Sequence, residues 1–268
     1  MPAIDLARLK TQAALLAEKF AQPEDFIHDL NELLDYYTNR TIRSAQIVRR
    51  LSLRTFHTPR PVVRQIEREL LPLAGAQPIE AVALTNALWK AHSLESRLLA
   101  ASLLGMIPPA QAMPALTRLP EWLHQSSDEV VRHALLTEAL ARLRRENPEA
   151  LFILIEDWLK SPRHSLQIWG LRALVPLFNE PGFENLPAVF RILRPAVESA
   201  GPATQLELQA CLSALERVSV TETLYFLRTI LKDKPSAMLL RTLRRMLPAL
   251  PDNLQPGLRE ALREAGAI

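Results

Sequence analysis

Apolar residues recur along this chain at the spacing of one helix face. In the first twenty residues they stand at Leu6, Leu9, Ala13, Leu16 and Phe20. Intervals of three and four residues place these side chains on one side of an α-helix. The same period continues, with interruptions, to the C-terminal region. The pattern therefore predicts an all-α protein.

Three stretches share a local pattern, in which a tryptophan lies near the end of one helix and a second helix begins a few residues later. The tryptophans are Trp89, Trp122 and Trp158, which are 33 and 36 residues apart. Such a period is typical of helix pairs that bury their apolar faces only by stacking on copies of themselves. We expect a right-handed HEAT-like helical-repeat solenoid in which these tryptophans pack between helices.

The prediction is a single repeat domain over residues 1–268. Residues 1–39 form two N-terminal cap helices at about 4–20 and 24–37, residues 40–250 form stacked helix pairs, and residues 251–268 form a closing helix. The stacked helices are predicted at residues 41–53, 58–71, 78–91, 94–104, 108–124, 128–145, 148–160, 164–178, 183–199, 205–218, 221–232 and 236–247. Thr58 is expected to cap the helix that starts at Pro59. Pro195 is expected to kink or interrupt its helix.

The composition and the missing motifs argue against several kinds of functional site. The chain has 7 glycines against 21 prolines, and it contains neither G-x-G-x-x-G nor G-x-x-x-x-G-K, so we expect no bound nucleotide. G-x-S-x-G, the commonest hydrolase signal, is also missing. The six histidines form no H-x-x-x-H pair, and the single cysteine, Cys211, lies in an apolar helical pattern. We therefore predict no metal, no cofactor and a core thiol.

Charge is small overall but unevenly distributed. The net charge is +3, yet residues 40–68 are rich in arginine. Within them Arg60, Arg64 and Arg68 fall on one helical stripe at i, i+4 and i+8, where like charges repel. Either a bound polyanion or solvent screening relieves that repulsion. Because the sequence has no long apolar stretch and no signal-peptide pattern, we expect a cytoplasmic protein without a membrane partner.

Two acids and one aromatic residue remain as candidates for chemistry. Asp128 and Glu129 stand at a predicted helix start, where the helix dipole stabilises negative charge without any functional role. Trp169 stands outside the repeated tryptophan position. It is a candidate for a surface site, with core packing as the alternative.

Three motifs between residues 55 and 178 resemble the AlkD-type DNA alkylation-repair glycosylases. They are Phe56-x-Thr58-Pro59-x-x-x-Val63-Arg64, Leu88-Trp89-x-x-x-x-Leu94-Glu95-x-Arg97-x-x-Ala100-x-x-Leu103-Leu104 and Asp157-Trp158-Leu159-x-Ser161. The resemblance implies HEAT-like repeats, a concave basic face that binds duplex DNA, and assisted release of alkylated purines.

The resemblance also shows departures at the positions that it marks as catalytic. The catalytic aspartate of the family falls at Val131, its arginine falls at Ile168, an aromatic falls at Ser127, and a later tryptophan falls at about Ser213. A valine cannot stabilise the positive charge that develops on the sugar when a purine departs. We therefore expect weak or lost glycosylase activity, unless the register is displaced by three residues and Asp128 fills the role.

Three functions follow as hypotheses. In the first, a concave face binds the backbone of duplex DNA through six arginines: Arg60, Arg64, Arg97, Arg132, Arg163 and Arg172. In the second, the same groove holds a protein or peptide. In the third, the chain is a divergent glycosylase that uses Asp128 or Glu129 as its carboxylate and Trp169 against the DNA.

Overall fold

The structure is a computed structural model that describes residues 5–38 and 53–266. Within these ranges every regular element is a helix and no strand is present. One isolated bridge joins Arg54 to Ser93 in the described part. The predicted helix at residues 41–53 falls almost entirely outside the described residues. The all-α class is confirmed.

The chain packs as two compact units, Met1–Asn147 and Pro148–Ile268. We call them unit 1 and unit 2. The single continuous domain over residues 1–268 stays a prediction.

Unit 1 is built from two layers of helices. Its described helices are α1 (Leu6–Glu18), α2 (Pro23–Tyr36), α3 (Arg60–Ala76), α4 (Pro78–Lys90), α5 (Leu94–Leu104), α6 (Pro109–Leu116), α7 (Leu119–Gln125), α8 (Glu129–Thr137) and α9 (Ala141–Glu146). In one layer α1, α3, α5 and α8 lie side by side, and in the other α2, α4, α6 and α9 do. The pairs α1–α2, α3–α4 and α4–α5 connect the layers, because each helix buries one apolar stripe against its neighbours.

Unit 2 repeats this layering. Its helices are α10 (Pro148–Lys160), α11 (His164–Leu174), α12 (Leu186–Glu198), α13 (Gln205–Val218), α14 (Val220–Lys232), α15 (Ala237–Met246) and α16 (Gln255–Glu264), with short 3-10 helices at Val175–Asn179 and Leu247–Ala249. One layer holds α10, α12, α14 and α16, and the other holds α11, α13 and α15.

The repeated tryptophans lie in the core, as their shared position predicts. Trp89, Trp122 and Trp158 are 5%, 1% and 3% exposed. The rings of Trp89 and Trp122 stack with centroids 4.6 Å apart and planes 9° apart. The repeated position is therefore used for packing between consecutive helix pairs of unit 1.

Two predicted helices are divided in the structure. Residues 108–124 form α6 and α7, because Pro120 has no N–H with which to continue the first helix and instead begins the second. Residues 128–145 form α8 and α9. There the Ala139 amide donates to the Ala134 carbonyl, five residues back, and Arg144 Nη1 donates to the Thr137 carbonyl 3.3 Å away. These bonds replace the regular α-helical hydrogen bonds between residues four apart, so the helix ends.

One prediction about a cap was wrong. Thr58 does not cap the following helix, since its hydroxyl donates to the Leu34 carbonyl at 3.3 Å and Pro59 takes the cap position.

Pro195 lies inside α12 and does not interrupt it, so that part of the prediction was wrong, and the kink stays a prediction. A proline removes one helical hydrogen bond, and the buried residues of α12 lie on both sides of Pro195.

Candidate functional site

A buried carboxylate fixes the loop that leads into α3. Glu95, in the first turn of α5, is 5% exposed. Its oxygens accept from the Phe56 amide at 3.1 and 3.2 Å, from the Thr55 hydroxyl at 3.1 Å and from the Thr58 amide at 3.4 Å. The Leu94 amide in turn donates to the Arg54 carbonyl at 2.8 Å. These bonds hold the amino ends of α3 and α5 together.

Helices α3, α5 and α8, which lie side by side in one layer of unit 1, run in parallel. Seven residues into α3, Glu67 accepts from Ser102, which stands eight residues into α5, at 2.7 Å. At the end of α5, Gly105 packs directly on the backbone of Glu138 at the end of α8, so closely that a Cβ atom would overlap the Glu138 carbonyl oxygen. All three amino ends therefore lie at the same end of the layer.

A groove of about 580 Å³ lies along the surface of these helices. We call it the inner groove. Its amino end carries Arg60 and Arg64 of α3 together with the Glu95 carboxylate, and its carboxyl end carries Glu67, Ser102 and Glu138. The apolar part of the lining is formed by Val63, Leu98, Val130 and Ala134. The inner groove therefore has exposed arginines beside a hydrogen-bonded carboxylate at one end and two further carboxylates at the other.

The electrostatics of the two ends differ in kind. Arg60 and Arg64 are exposed and form no ion pair with any described residue, and the aligned helix amino ends add partial positive charge beside them. Glu67 is half-buried, and burial raises the pKa of its carboxyl. The negative charge of Glu138 raises that pKa further, whereas the Ser102 hydrogen bond and the charge of Arg64 lower it.

Arg97 lies in the core rather than on a surface. It is 3% exposed, its Nη2 donates to His92 Nδ1 at 3.0 Å, and its guanidinium lies over the Trp89 ring, 4.4 Å from the centroid. Burial lowers its pKa. A guanidinium covered in this way cannot reach a phosphate, which removes Arg97 from the predicted DNA-binding set.

Two more of the predicted arginines are engaged inside their own units. Arg132 donates from Nε to the Ser126 carbonyl at 2.7 Å and pairs with Glu129 at 3.6 Å. Arg172 pairs with Glu207 of α13 at 2.9 Å. Partners of this kind hold a side chain in place and reduce its positive potential.

Arg163 keeps an exposed side chain at the start of α11. Of the six predicted arginines, Arg60, Arg64 and Arg163 therefore remain fully available at a surface. The structure brings Arg60 and Arg64 together in the inner groove, and Arg163 belongs to unit 2.

The candidate catalytic carboxylates have structural roles. Asp128 caps α8, with Oδ1 accepting from the Val130 amide at 2.8 Å and the Val131 amide at 3.4 Å. Glu129 is exposed and pairs with Arg132. These contacts agree with the expectation that acids at the amino end of a helix are stabilised there by the helix dipole and need no functional role.

The other positions singled out by the sequence do not form an active centre. Trp169 is 7% exposed and packs in the core, so its ring is not a surface platform. Val131, where the resemblance places a catalytic carboxylate, is fully buried. Ile168 and Ser213 are half-buried, and Ser127 is exposed. Any side chain at position 131 of this structure points into the hydrophobic core of unit 1.

The sequence did not reveal the acidic end of the inner groove. Glu67 is one of two glutamates, with Glu69, in an arginine-rich segment, and Ser102 and Glu138 belong to no motif. Only the parallel packing of α3, α5 and α8 brings the three together. One signal was available: Glu67 follows Arg60 and Arg64 at i+7 and i+3, spacings that allow neighbouring positions on a helix face.

A cluster on α2 and the single thiol are two further groups that could carry chemistry. His28, Asp29 and Glu32 on α2 could offer ligand atoms within 4.8 Å of one another, but all three are at least partly exposed and Asp29 already pairs with Lys19. Cys211 is fully buried, and burial raises the pKa of its thiol to about 12. The prediction of a core thiol is confirmed.

Within the described ranges, no helix is both long and apolar enough to cross a membrane. Comparison with models of known protein families gives no match to the chain, and comparison with curated proteins gives none either.

Proposed function

We propose that this protein binds the backbone of duplex DNA through the arginines of α3, as a right-handed HEAT-like solenoid related to the AlkD-type DNA alkylation-repair proteins. The supporting observation is the row formed by Arg60, Arg64 and Arg68. All three are exposed and none forms an ion pair with a described residue, although the charge of Arg64 acts on the nearby Glu67 carboxyl. We call them the α3 row.

The spacing of the α3 row suits a ligand with repeated negative charge. Residues four apart on a helix rise about 6 Å, so the three arginines are spaced at regular intervals along α3, and the first two of them line the inner groove. Guanidinium groups bind phosphates through two parallel hydrogen bonds. A duplex presents a phosphate at every nucleotide, so one strand can occupy several members of the row.

Binding should depend steeply on salt, because each phosphate contact releases bound counterions. Three contacts give a log–log slope of about −2.7, so a fourfold increase in salt weakens binding about 40-fold. The contacts carry no sequence information. The expected protein therefore binds unrelated duplexes with similar affinity.

The test compares two triple variants of equal charge. Arg60→Gln/Arg64→Gln/Arg68→Gln removes the α3 row, and a control triple replaces arginines that have acidic partners in unit 2, namely Arg191, Arg194 and Arg228. Fluorescence polarisation with a labelled 20-base-pair duplex gives the dissociation constant at several salt concentrations. We expect the first variant to lose the salt-dependent binding and the control to keep it. Equal losses in both variants, or no binding by the native protein, would refute the proposal.

A peptide-binding scaffold is the second candidate, and the two carboxylates at the carboxyl end of the inner groove favour it. Glu67 and Glu138 repel phosphates but can pair with a cationic side chain. This candidate predicts that duplex DNA does not bind in a salt-dependent manner. Among the described residues, no contact favours catalysis by Asp128, because its carboxylate already caps α8.

A further inference from the structure

Helix α4 is apolar on two opposite sides. One side is buried inside unit 1 and consists of Ala81, Leu84, Thr85, Leu88 and Trp89. The other side carries Ile79, which is 76% exposed, and the exposed Ala83. A helix at the surface of a folded unit normally turns polar and charged residues to solvent on that side. The exposed side of α4 is therefore suited to contact with another protein surface.

A groove of about 840 Å³ lies beside this exposed side, between α4 and the first turns of α2. We call it the α4 groove. Its apolar walls are formed by Pro23 and Ile27 of α2 and by Ala83, Ala87 and Ala91 of α4. Alanine side chains are short, so a second helix can approach α4 closely along this wall. The α4 groove can therefore receive a large apolar side chain together with the helix that carries it.

The charges of α4 select the kind of helix that fits. Glu80 lies in the first turn of α4 and Lys90 in its last turn, so they stand about 15 Å apart along the axis. Neither side chain forms an ion pair with another residue in the described part of the chain. A second α4 packed in the opposite direction brings Glu80 of each copy to Lys90 of the other, whereas a parallel one brings like charges together. The helix that complements α4 in charge is therefore an antiparallel copy of itself.

We propose that two copies of this protein associate through antiparallel α4 helices, with Ile79 of each copy seated in the α4 groove of the other. When Glu80 faces Lys90, the same register places Ile79 opposite Ala91. It also places Ala83 opposite Ala87, so small side chains meet where the two helices are closest.

The proposed contact uses the same surface on both copies, so it closes on itself and gives a dimer rather than a filament. It is independent of the proposed binding of DNA. The α3 row belongs to the other layer of unit 1, and contact through α4 leaves its arginines accessible.

The first experiment measures the association of the native protein by analytical ultracentrifugation. One helix and one groove per copy form a small interface, so we expect a micromolar dissociation constant, measured at concentrations from about 1 to 200 µM. Ile79→Ser should weaken association by about tenfold or more, because each dimer loses two buried apolar side chains. Ile153→Ser is the matched control: Ile153 is a 66% exposed isoleucine on α10 of unit 2, and its replacement should leave association unchanged.

Charge reversal tests the antiparallel register. Glu80→Lys alone and Lys90→Glu alone each bring like charges together twice in a dimer, so each variant should associate about tenfold more weakly than the native protein. In an equimolar mixture of the two single variants, both contacts of the mixed dimer join opposite charges. The mixture should therefore regain native association, and so should the double variant Glu80→Lys/Lys90→Glu.

Three results would overturn the proposal. A native protein that stays monomeric over the whole concentration range leaves the α4 groove to a different occupant. Equal association of Ile79→Ser and Ile153→Ser means that Ile79 is not at the contact. If the two acids and bases act only on the dipole of their own helix, the mixed variants do not regain association, and the antiparallel contact is refuted. Circular dichroism melting of each variant shows that it is folded.

Discussion

The arginines of the α3 row differ from three arginines of unit 2 in their partners. In unit 2, three ion pairs join neighbouring helices: Arg172 with Glu207, Arg191 with Glu156 and Arg228 with Glu260. In unit 1 the α3 row forms no ion pair with a described residue, and the buried acid nearest to the start of α3, Glu95, accepts from two backbone amides and the Thr55 hydroxyl.

The difference shows how the placement of acids decides which cations are available to a ligand. At the three ion pairs of unit 2, a carboxylate lies opposite an arginine on an adjacent helix, so the charge of these arginines is compensated within the fold. Next to the α3 row, the buried acid of α5 binds the loop instead. It therefore forms no ion pair with the α3 row.

The largest effect is expected from removing Glu95. In Glu95→Ala the amides of Phe56 and Thr58 and the Thr55 hydroxyl lose their acceptor in a buried position. Hydrogen bonds to a charged group contribute about 1.5–3 kcal/mol each but are not additive, so we expect a loss of about 3–4 kcal/mol in the free energy of unfolding. Urea denaturation followed by circular dichroism measures it.

Glu207→Ala in unit 2 is the matched control for Glu95→Ala. Its carboxylate pairs with a partly exposed Arg172 side chain, so the expected loss is about 1 kcal/mol or less. An equal loss in the free energy of unfolding for Glu207→Ala and Glu95→Ala would show that the two acids stabilise the fold equally. It would contradict the difference that we describe between the two units.

The next effect concerns glycines at helix contacts. Gly105→Ala would force the Cβ atom against the Glu138 backbone, which cannot move without separating α5 from α8. We expect a loss of about 2–3 kcal/mol. In unit 2, Gly170→Ala places its Cβ atom 2.9 Å from a methyl group of Leu159, a flexible side chain, so the expected loss is below about 1 kcal/mol. Thermal denaturation of both variants tests the order.

A smaller effect is expected for the coupling energy between an arginine and a nearby glutamate, which should be larger where the two form an ion pair. A double-mutant cycle of Arg172→Gln and Glu207→Gln should give a coupling energy of about 0.5–1 kcal/mol, since the two side chains are 2.9 Å apart across two helices. The same cycle for Arg64 and Glu67, which form no ion pair, should give at most a few tenths of a kcal/mol. Equal couplings, measured by urea denaturation, would remove the distinction between the units.

Much of the fold could be predicted because helix periodicity is a local property. The bounds Leu94–Leu104 and Gln205–Val218 agree with the predicted ranges to the residue. The cap of α3 was wrong because the Thr58 hydroxyl bonds to Leu34 and its amide to Glu95, two partners distant in sequence. A local rule for caps cannot account for such partners.

The candidate site could be predicted only in part. The spacing of Arg60 and Arg64 places them correctly on one exposed face. Arg97 was misplaced because charge alone does not reveal that its guanidinium lies over the Trp89 ring. The contact between Glu67 and Ser102 depends on the register of two helices 35 residues apart, which no local pattern specifies.

The smallest predicted effect is the contribution of two acids, Glu67 and Glu156, to the pH dependence of the free energy of unfolding. The two contributions have opposite signs. Burial raises the pKa of Glu67 in unit 1, so the fold disfavours its ionised form and loses stability as the pH rises through that pKa. Glu67→Gln should therefore stabilise the protein at pH 7.5, by about 0.5 kcal/mol, and the gain should vanish near pH 4. In unit 2, the hydrogen bond from Lys160 lowers the pKa of Glu156. Glu156→Gln should destabilise by a similar amount at pH 7.5.

The sign for Glu156 follows from the same linkage. A lowered pKa contributes stability above the unfolded value of about 4.5, and that contribution is lost as the pH falls through the folded pKa. Ser102→Ala is an internal check in unit 1: removing a hydrogen bond that lowers the pKa of Glu67 should destabilise the protein more at pH 7.5 than at pH 4. Urea midpoints at the two pH values measure all three variants. If Glu67→Gln and Glu156→Gln shift stability in the same direction, the carboxylates of the two units lie in equivalent surroundings, and the compensation of charge that distinguishes unit 2 is absent.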